Sequence, residues 1–100
     1  MATAPDPVQV APEFYKAQLD NDRVRVLDIQ MPAGQKSPMH SHPAYVIYVV
    51  TPGKIRFTAP DGTTQEVEVE AGQVIWREAE THAAENVGTT EVHVLNIELK

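Results

Sequence analysis

Alternation of apolar and polar positions runs through the chain. "KIRFTA" sets Ile55, Phe57 and Ala59 against Lys54, Arg56 and Thr58, and "TQEVEVE" sets Val67 and Val69 against Glu66, Glu68 and Glu70. A period of two marks a half-buried strand, because successive side chains of an extended chain point to opposite faces. The "PDG" between these runs reads as a hairpin turn, so their basic and acidic stripes should meet across the strands on the solvent face. "EFYKAQL" and "RVRVLDIQM" flank Asp20, Asn21 and Asp22 and read as a second hairpin. In "RVRVLDIQM" the apolar positions change phase after Val26, which predicts a bulge near that residue or a strand buried on both faces.

Further along, "PAGQKSP" is a loop, "HSHPAYVIYVV" reads as a core strand led by two histidines, and Gly72 opens "QVIWRE". "THAAENV", the turn "GTT" and the strand "EVHVLNIEL" close the chain. No apolar pattern at i, i+3, i+4 and i+7 persists for long enough to argue a helix of several turns, and Val, Ile and Thr make up 26 of the 100 residues. About eight short strands with turn signals every ~8–12 residues predict an all-β sandwich or barrel. One hundred residues leave room for one core. Residues 1–12, with Pro5, Pro7 and Pro12, are expected to be a flexible arm or an edge segment ahead of a barrel over 13–100.

Charge narrows the partners. With 14 acidic and 8 basic residues the net charge is −6, which disfavours nucleic acid and anionic membrane. "MATAPDPVQV" has no basic and apolar leader pattern, and no apolar run approaches the ~18 residues of a membrane span, so a soluble, cytoplasmic protein is expected. The absence of cysteine rules out disulfides and thiolate metal sites. Oligomerisation or a histidine-bound metal remain as ways to brace so small a fold. G-x-S-x-G, P-loop, G-x-G-x-x-G and H-E-x-x-H motifs are all missing.

The chemistry concentrates at His40 and His42. In a strand, residues i and i+2 share a face, so the two imidazoles should project side by side. Two surface histidines that fall together by chance are the competing reading. If instead that face is the barrel interior, neutral imidazoles among apolar neighbours need partners, and a metal ion would satisfy them.

Gly34, five residues, His40, one residue, His42 and ten residues to Gly53 form a pattern that resembles the first cupin motif. "GQVIWREAETHAAEN" resembles the second, with Gly72 at its start, His82 at the position of the third histidine ligand, and Asn86 four residues later. The chain is thus similar to small single-domain cupins, including those named for β-alanine degradation. The resemblance implies a jelly-roll barrel, often dimeric, with the arm or an edge strand available for pairing. It also implies His40, His42 and His82 as ligands of a divalent transition metal: iron, manganese, nickel, copper or zinc.

Two departures from the family pattern stand out. The usual glutamate ligand falls at Val46, which cannot coordinate, and Glu78 and Glu80 occupy positions where Pro and Gly are common. The first should change the site; the second should reshape a turn and add surface charge. Three neutral imidazoles leave the ion's double charge uncompensated, so the site should favour an anionic, chelating small molecule. Zinc accepts such a set, and the three-histidine iron cupins that dioxygenate thiols or β-diketones resemble it. A non-catalytic pocket for a carboxylate or sugar, or a merely structural metal, are the rival readings.

Other positions are candidates by parity. Tyr48 shares parity with His40 and His42 and is expected either to orient substrate as a catalytic residue or to pack in the core. Trp76 is expected in the core, His93 at the surface or rim, and Gln30 and Met39 at the mouth or in packing.

Overall fold

A computed structural model describes residues 5–100. A single helical turn, α1 (Pro7–Val10), precedes nine strands: β1 (Tyr15–Asp20), β2 (Val24–Met31), β3 (His40–His42), β4 (Tyr45–Thr51), β5 (Gly53–Thr58), β6 (Thr64–Val69), β7 (Val74–Arg77), β8 (Glu80–Asn86) and β9 (Val92–Leu99). They form two antiparallel sheets, one ordered β1-β2-β9-β4-β7 and the other β3-β8-β5-β6. Leu27, Ile29, Met31, Ile47, Val49 and Val94 from the first sheet pack with Ile55, Val69 and Ala84 from the second. The all-β jelly-roll expectation holds.

Both anticipated hairpins form. Lys54 and Arg56 face Glu68 and Glu66 across β5 and β6. The Arg56–Glu66 pair closes to 2.7 Å on the exposed side, where such contacts add little stability. The irregularity near Val26 lies on the partner strand: β1 skips register between Ala17 and Leu19, opposite Leu27 and Val26. The phase change in β2 itself arises because Arg25 takes an inward position, held by Glu98, while Val24 and Val26 face out.

Of two expectations, one is narrowed and one corrected here. Residues 1–4 lie outside the described residues, and 5–12 lie along the edge of the barrel, as the edge-segment alternative has it. The Asp6 side chain caps α1 by accepting from Val8 N, Pro7 and Ala11 are buried, and Pro5 O accepts from Ser41 N on the edge strand β3. Second, the run beginning at His40 is two strands in different sheets, with Pro43 and Ala44 as the corner. Proline supplies no ladder donor, so pairing stops there. Positive φ at Gly34 (+82°) and Gly72 (+84°) explains the motif glycines, since both turn the chain through the left-handed region.

Candidate metal centre

β3 lies beside β8 with His40 directly opposite His82, and extended geometry puts His42 on the same face as His40. The ring centroids stand 4.7 Å (His40–His42), 4.9 Å (His40–His82) and 5.1 Å (His42–His82) apart. One nitrogen from each lies within 4.8 Å of the other two, and all three residues are buried.

What stands behind each ring decides which nitrogen is free. His40 Nδ1 is 2.9 Å from Pro38 O, and a carbonyl only accepts, so Nδ1 carries the hydrogen. Nε2 then holds the lone pair, and it is buried without any partner. His42 Nδ1 meets Glu98 Oε2 at 2.7 Å, which assigns its hydrogen in the same way. His82 Nδ1 lies 3.3 Å from Glu80 Oε1 without forming a hydrogen bond and is buried. Burial, reinforced by the neighbouring His42, pushes the His40 pKa down to about 3, against the pull of the Pro38 carbonyl. Burial also lowers that of His82, although Glu80 opposes the shift. Both rings are therefore neutral at neutral pH, the form that binds metal. Orphaned buried nitrogens on converging neutral imidazoles fit a divalent transition ion.

Around the histidines runs a ring of matched charges. Glu98 Oε1 accepts from Arg25 Nε at 2.9 Å, and Arg25 reaches on to Asp6. Glu80 accepts two hydrogen bonds from Arg77 and one from the Tyr45 hydroxyl, each 2.7 Å. Burial works against ionisation of Glu80, but these donors and His82 hold its carboxyl far below the usual range. Tyr45 is pushed far up by burial and by that carboxylate. Burial likewise raises Tyr15 to about 12, only partly offset by Ser37. Because each backing carboxylate has an arginine, neither cancels the charge a metal would bring.

The parity argument fails at Tyr48. It is 42% exposed on the outer face, paired with Val74 and Leu95, and does not line the cavity. The corner at Pro43 resets the count, so Tyr45 and Ile47 face inward instead, with the Tyr45 ring 4.7 Å from His42. Val46 also points away from the cavity, between Trp76 and Ile97. No carboxylate replaces it at the inward positions of β4, so the three-histidine set stands for another reason than the one expected. Trp76 is 51% exposed rather than in the core, and Glu80 belongs to the site rather than to surface charge. His93 sits on the outer face, 2.8 Å from Asp28, and neither Gln30 nor Met39 lines the cavity. Tyr45, Glu98, Arg25 and Asn96 escaped the sequence reading. The signal for two of them was present: in "EVHVLNIEL", Asn96 and Glu98 keep the phase of the core residues Val92 and Val94.

Beside the histidines a cavity of about 60 Å³ opens between the sheets. Ile29, Ile47, Ile55, Val67, Val69 and Ile75 supply much of its wall.

Residues 27–98 match the family described as "Cupin domain". No curated protein matches the sequence. Among solved structures, a cupin domain from Bordetella pertussis Tohama I is similar at 26% identity, over 100% of this chain and 98% of that one, with a TM-score of 0.79. A conserved protein with a double-stranded β-helix domain from Klebsiella pneumoniae shares 18% identity over 85% of this chain and 74% of that one, TM-score 0.68. A predicted oxalate decarboxylase from Thermotoga maritima shares 22% over 86% and 79%, TM-score 0.59.

Proposed function

Because the chain belongs to the cupin family, matched over residues 27–98, we propose that it is a metal-dependent cupin acting on a small anionic substrate that chelates the metal, as an oxygenase or a lyase. The convergence of His40, His42 and His82, with orphaned buried nitrogens on two of them, carries this reading. A divalent transition metal held there would polarise a bound acid and, if redox-active, handle dioxygen. The protein's own groups do the rest. Pro38 O and Glu98 fix two rings with their ligand nitrogens free. The apolar wall keeps water away from the bound substrate. Tyr45, locked to Glu80, places a hydroxyl oxygen at the edge of the site. With both backing carboxylates matched by arginine, an anionic substrate supplies the missing charge. The decarboxylase description of the Thermotoga relative agrees with a carboxylate substrate.

Self-association belongs to the same proposal. The large hydrophobics that stay exposed among the described residues, Leu19, Tyr48, Val50, Val74, Trp76 and Leu99, all lie on strands of the five-stranded sheet. A second copy of the chain is the partner we assign to that face.

Metal content per chain, measured by elemental mass spectrometry on untagged protein prepared without chelator, tests the centre. Near-stoichiometric metal in the wild type, lost in His40→Ala, is expected. A wild type that stays metal-free after reconstitution with each candidate ion would overturn the proposal. Dioxygen uptake and product formation on a panel of small carboxylic and oxo acids then separate oxygenase from lyase.

A further inference from the structure

The polar groups that line the cavity, the histidines apart, can be accounted for one at a time. The Tyr45 hydroxyl donates to Glu80, and Arg77 is forked onto the same carboxylate. Asn86 donates to Met31 O and Thr90 O and accepts from Gly88 N, while Tyr15 meets Ser37. Asn96 is the exception. It is 4% exposed, it lines the cavity, and its Oδ1 is buried with no protein partner.

An unserved carbonyl oxygen in an apolar wall destabilises the fold, whereas leucine of nearly the same shape would fit without that cost. Asn96 therefore calls for a hydrogen-bonding group from outside the chain. Its place says where. On β9 it lies between Val94 and Glu98, all three inward, with Leu27 and Ile47 as cross-strand neighbours. Glu98, which holds His42, is one pleat further on, and same-face neighbours in a strand stand roughly 7 Å apart.

We infer that Asn96 is a second anchor for the ligand, so that this cavity takes a small, mostly apolar acid with its carboxylate at the three histidines and one neutral hydrogen-bonding group, a hydroxyl, meeting the Asn96 side-chain amide. The inference rests on the metal-centre reading and deepens it by naming the substrate class. An ammonium group would have to be desolvated with no counter-charge at that end. A sugar would bury several hydroxyls against isoleucine and valine with no partners. A site that hydrogen-bonds a ligand hydroxyl discriminates strongly against the analogue lacking it, while an added methylene matters far less.

Calorimetry on zinc-loaded protein, with pentanoate and its 3-, 4- and 5-hydroxy derivatives as probes, tests this in the wild type and in Asn96→Leu. Asn96→Ala serves as a second apolar variant should Asn96→Leu fail to fold. At least one hydroxy isomer should bind the wild type about tenfold or more tighter than pentanoate, and that ratio should fall to about one in the apolar variant. Equal binding of all four acids by the wild type, failure of every acid to bind, or a preference that survives in the variant would overturn the inference while leaving the metal centre standing. Zinc stoichiometry, measured on the same samples, separates the cases. If the wild type takes up no zinc or other divalent ion, the metal reading itself has failed, and the inference with it.

Discussion

Glu98 Oε2 lies 2.7 Å from His42 Nδ1 in a pocket that leaves Glu98 2% exposed. The other carboxylate oxygen is taken by Arg25, and Arg25 is held in turn by Asp6 at the head of α1. The short N-terminal segment is thus wired to a ligand ring through two ion pairs. A carboxylate behind a metal-bound histidine fixes its tautomer and orientation, and losing such a group typically costs about 10- to 100-fold in metal affinity. Glu98→Gln should show a loss of that size in competition with a chromophoric chelator. An affinity unchanged within about twofold would mean that His42 is oriented by its packing against Tyr45 alone.

Arg25 acts one step further out. Removing it leaves Glu98 buried with its charge unmatched, and such uncompensated buried charges cost about 3–5 kcal/mol. Arg25→Met should therefore lower the unfolding free energy by a few kcal/mol, read from urea midpoints at constant slope. Asp6→Asn, which removes the more exposed partner, should cost about 1 kcal/mol or less. Equal effects of the two variants would contradict this ordering.

How legible was the site? The histidine triad could be read because it follows strand parity within β3 and motif spacing in the second half of the chain. Tyr48 was misplaced because parity does not carry across Pro43, where the chain leaves one sheet for the other, and Val46, placed by motif spacing, lies beyond the same corner. A proline that stops a strand also stops the count, and restarting it at Tyr45 gives the inward set Tyr45, Ile47 and Val49. Glu98 and Arg25 lie 73 residues apart, and only the pairing of β2 with β9 brings them together. The strand pattern was visible from alternation alone, whereas such long-range pairs depend on register. Apolar residues on both faces of β2 and β4 carried a second message that reads as burial in the sequence: an outer sheet face that remains apolar.

The reset of β4 gives its own check. Val46→Glu puts a carboxylate on the outer face, beside Trp76 and Ile97. It should leave metal affinity within about twofold of wild type, because the new oxygen cannot reach the histidines. Tighter metal binding would show that β4 runs one residue out of the register described above.

Acid should weaken the metal-free fold in a defined window. The unfolded chain protonates His40 below its ordinary value of 6.5, but the folded chain does so only near pH 3. Between these values the unfolded state binds the extra proton, so stability is full above about pH 6.5 and falls as pH drops toward 3. The slope from one such histidine reaches about 1.4 kcal/mol per pH unit, and His82, shifted in the same direction, adds to it. Urea midpoints of chelator-treated protein at pH 7, 6, 5 and 4 should fall progressively, and His40→Ala should flatten the curve. Saturating metal should raise the midpoint most at pH 7, where protons compete least for the imidazoles. A wild-type midpoint constant from pH 7 to pH 4 would contradict the burial of neutral His40.

The outer face of the five-stranded sheet makes the last prediction. Tyr48 faces Val74, and Val46 faces Trp76 on the edge strand, while Val26 and Ile97 continue the apolar surface inward. Five strands spaced about 4.8 Å apart, each about seven residues long at ~3.3 Å per residue, outline a face of roughly 550 Å² before side-chain relief is counted. With relief this approaches the ~800 Å² per partner of a standard interface. Asp28 and His93, which also lie on this face, already bond each other at 2.8 Å. Such a surface suits a twofold contact with itself, centred on aromatic residues of the kind that dominate binding energy. The wild type should sediment as a dimer at micromolar concentration, with an unfolding midpoint that rises with protein concentration. Trp76→Glu, which buries a charge in that contact but touches nothing in the core, should sediment as a folded monomer and remove the concentration dependence. A wild type that is monomeric at every concentration tested, or a Trp76→Glu dimer as tight as wild type, would reject this face as the site of self-association.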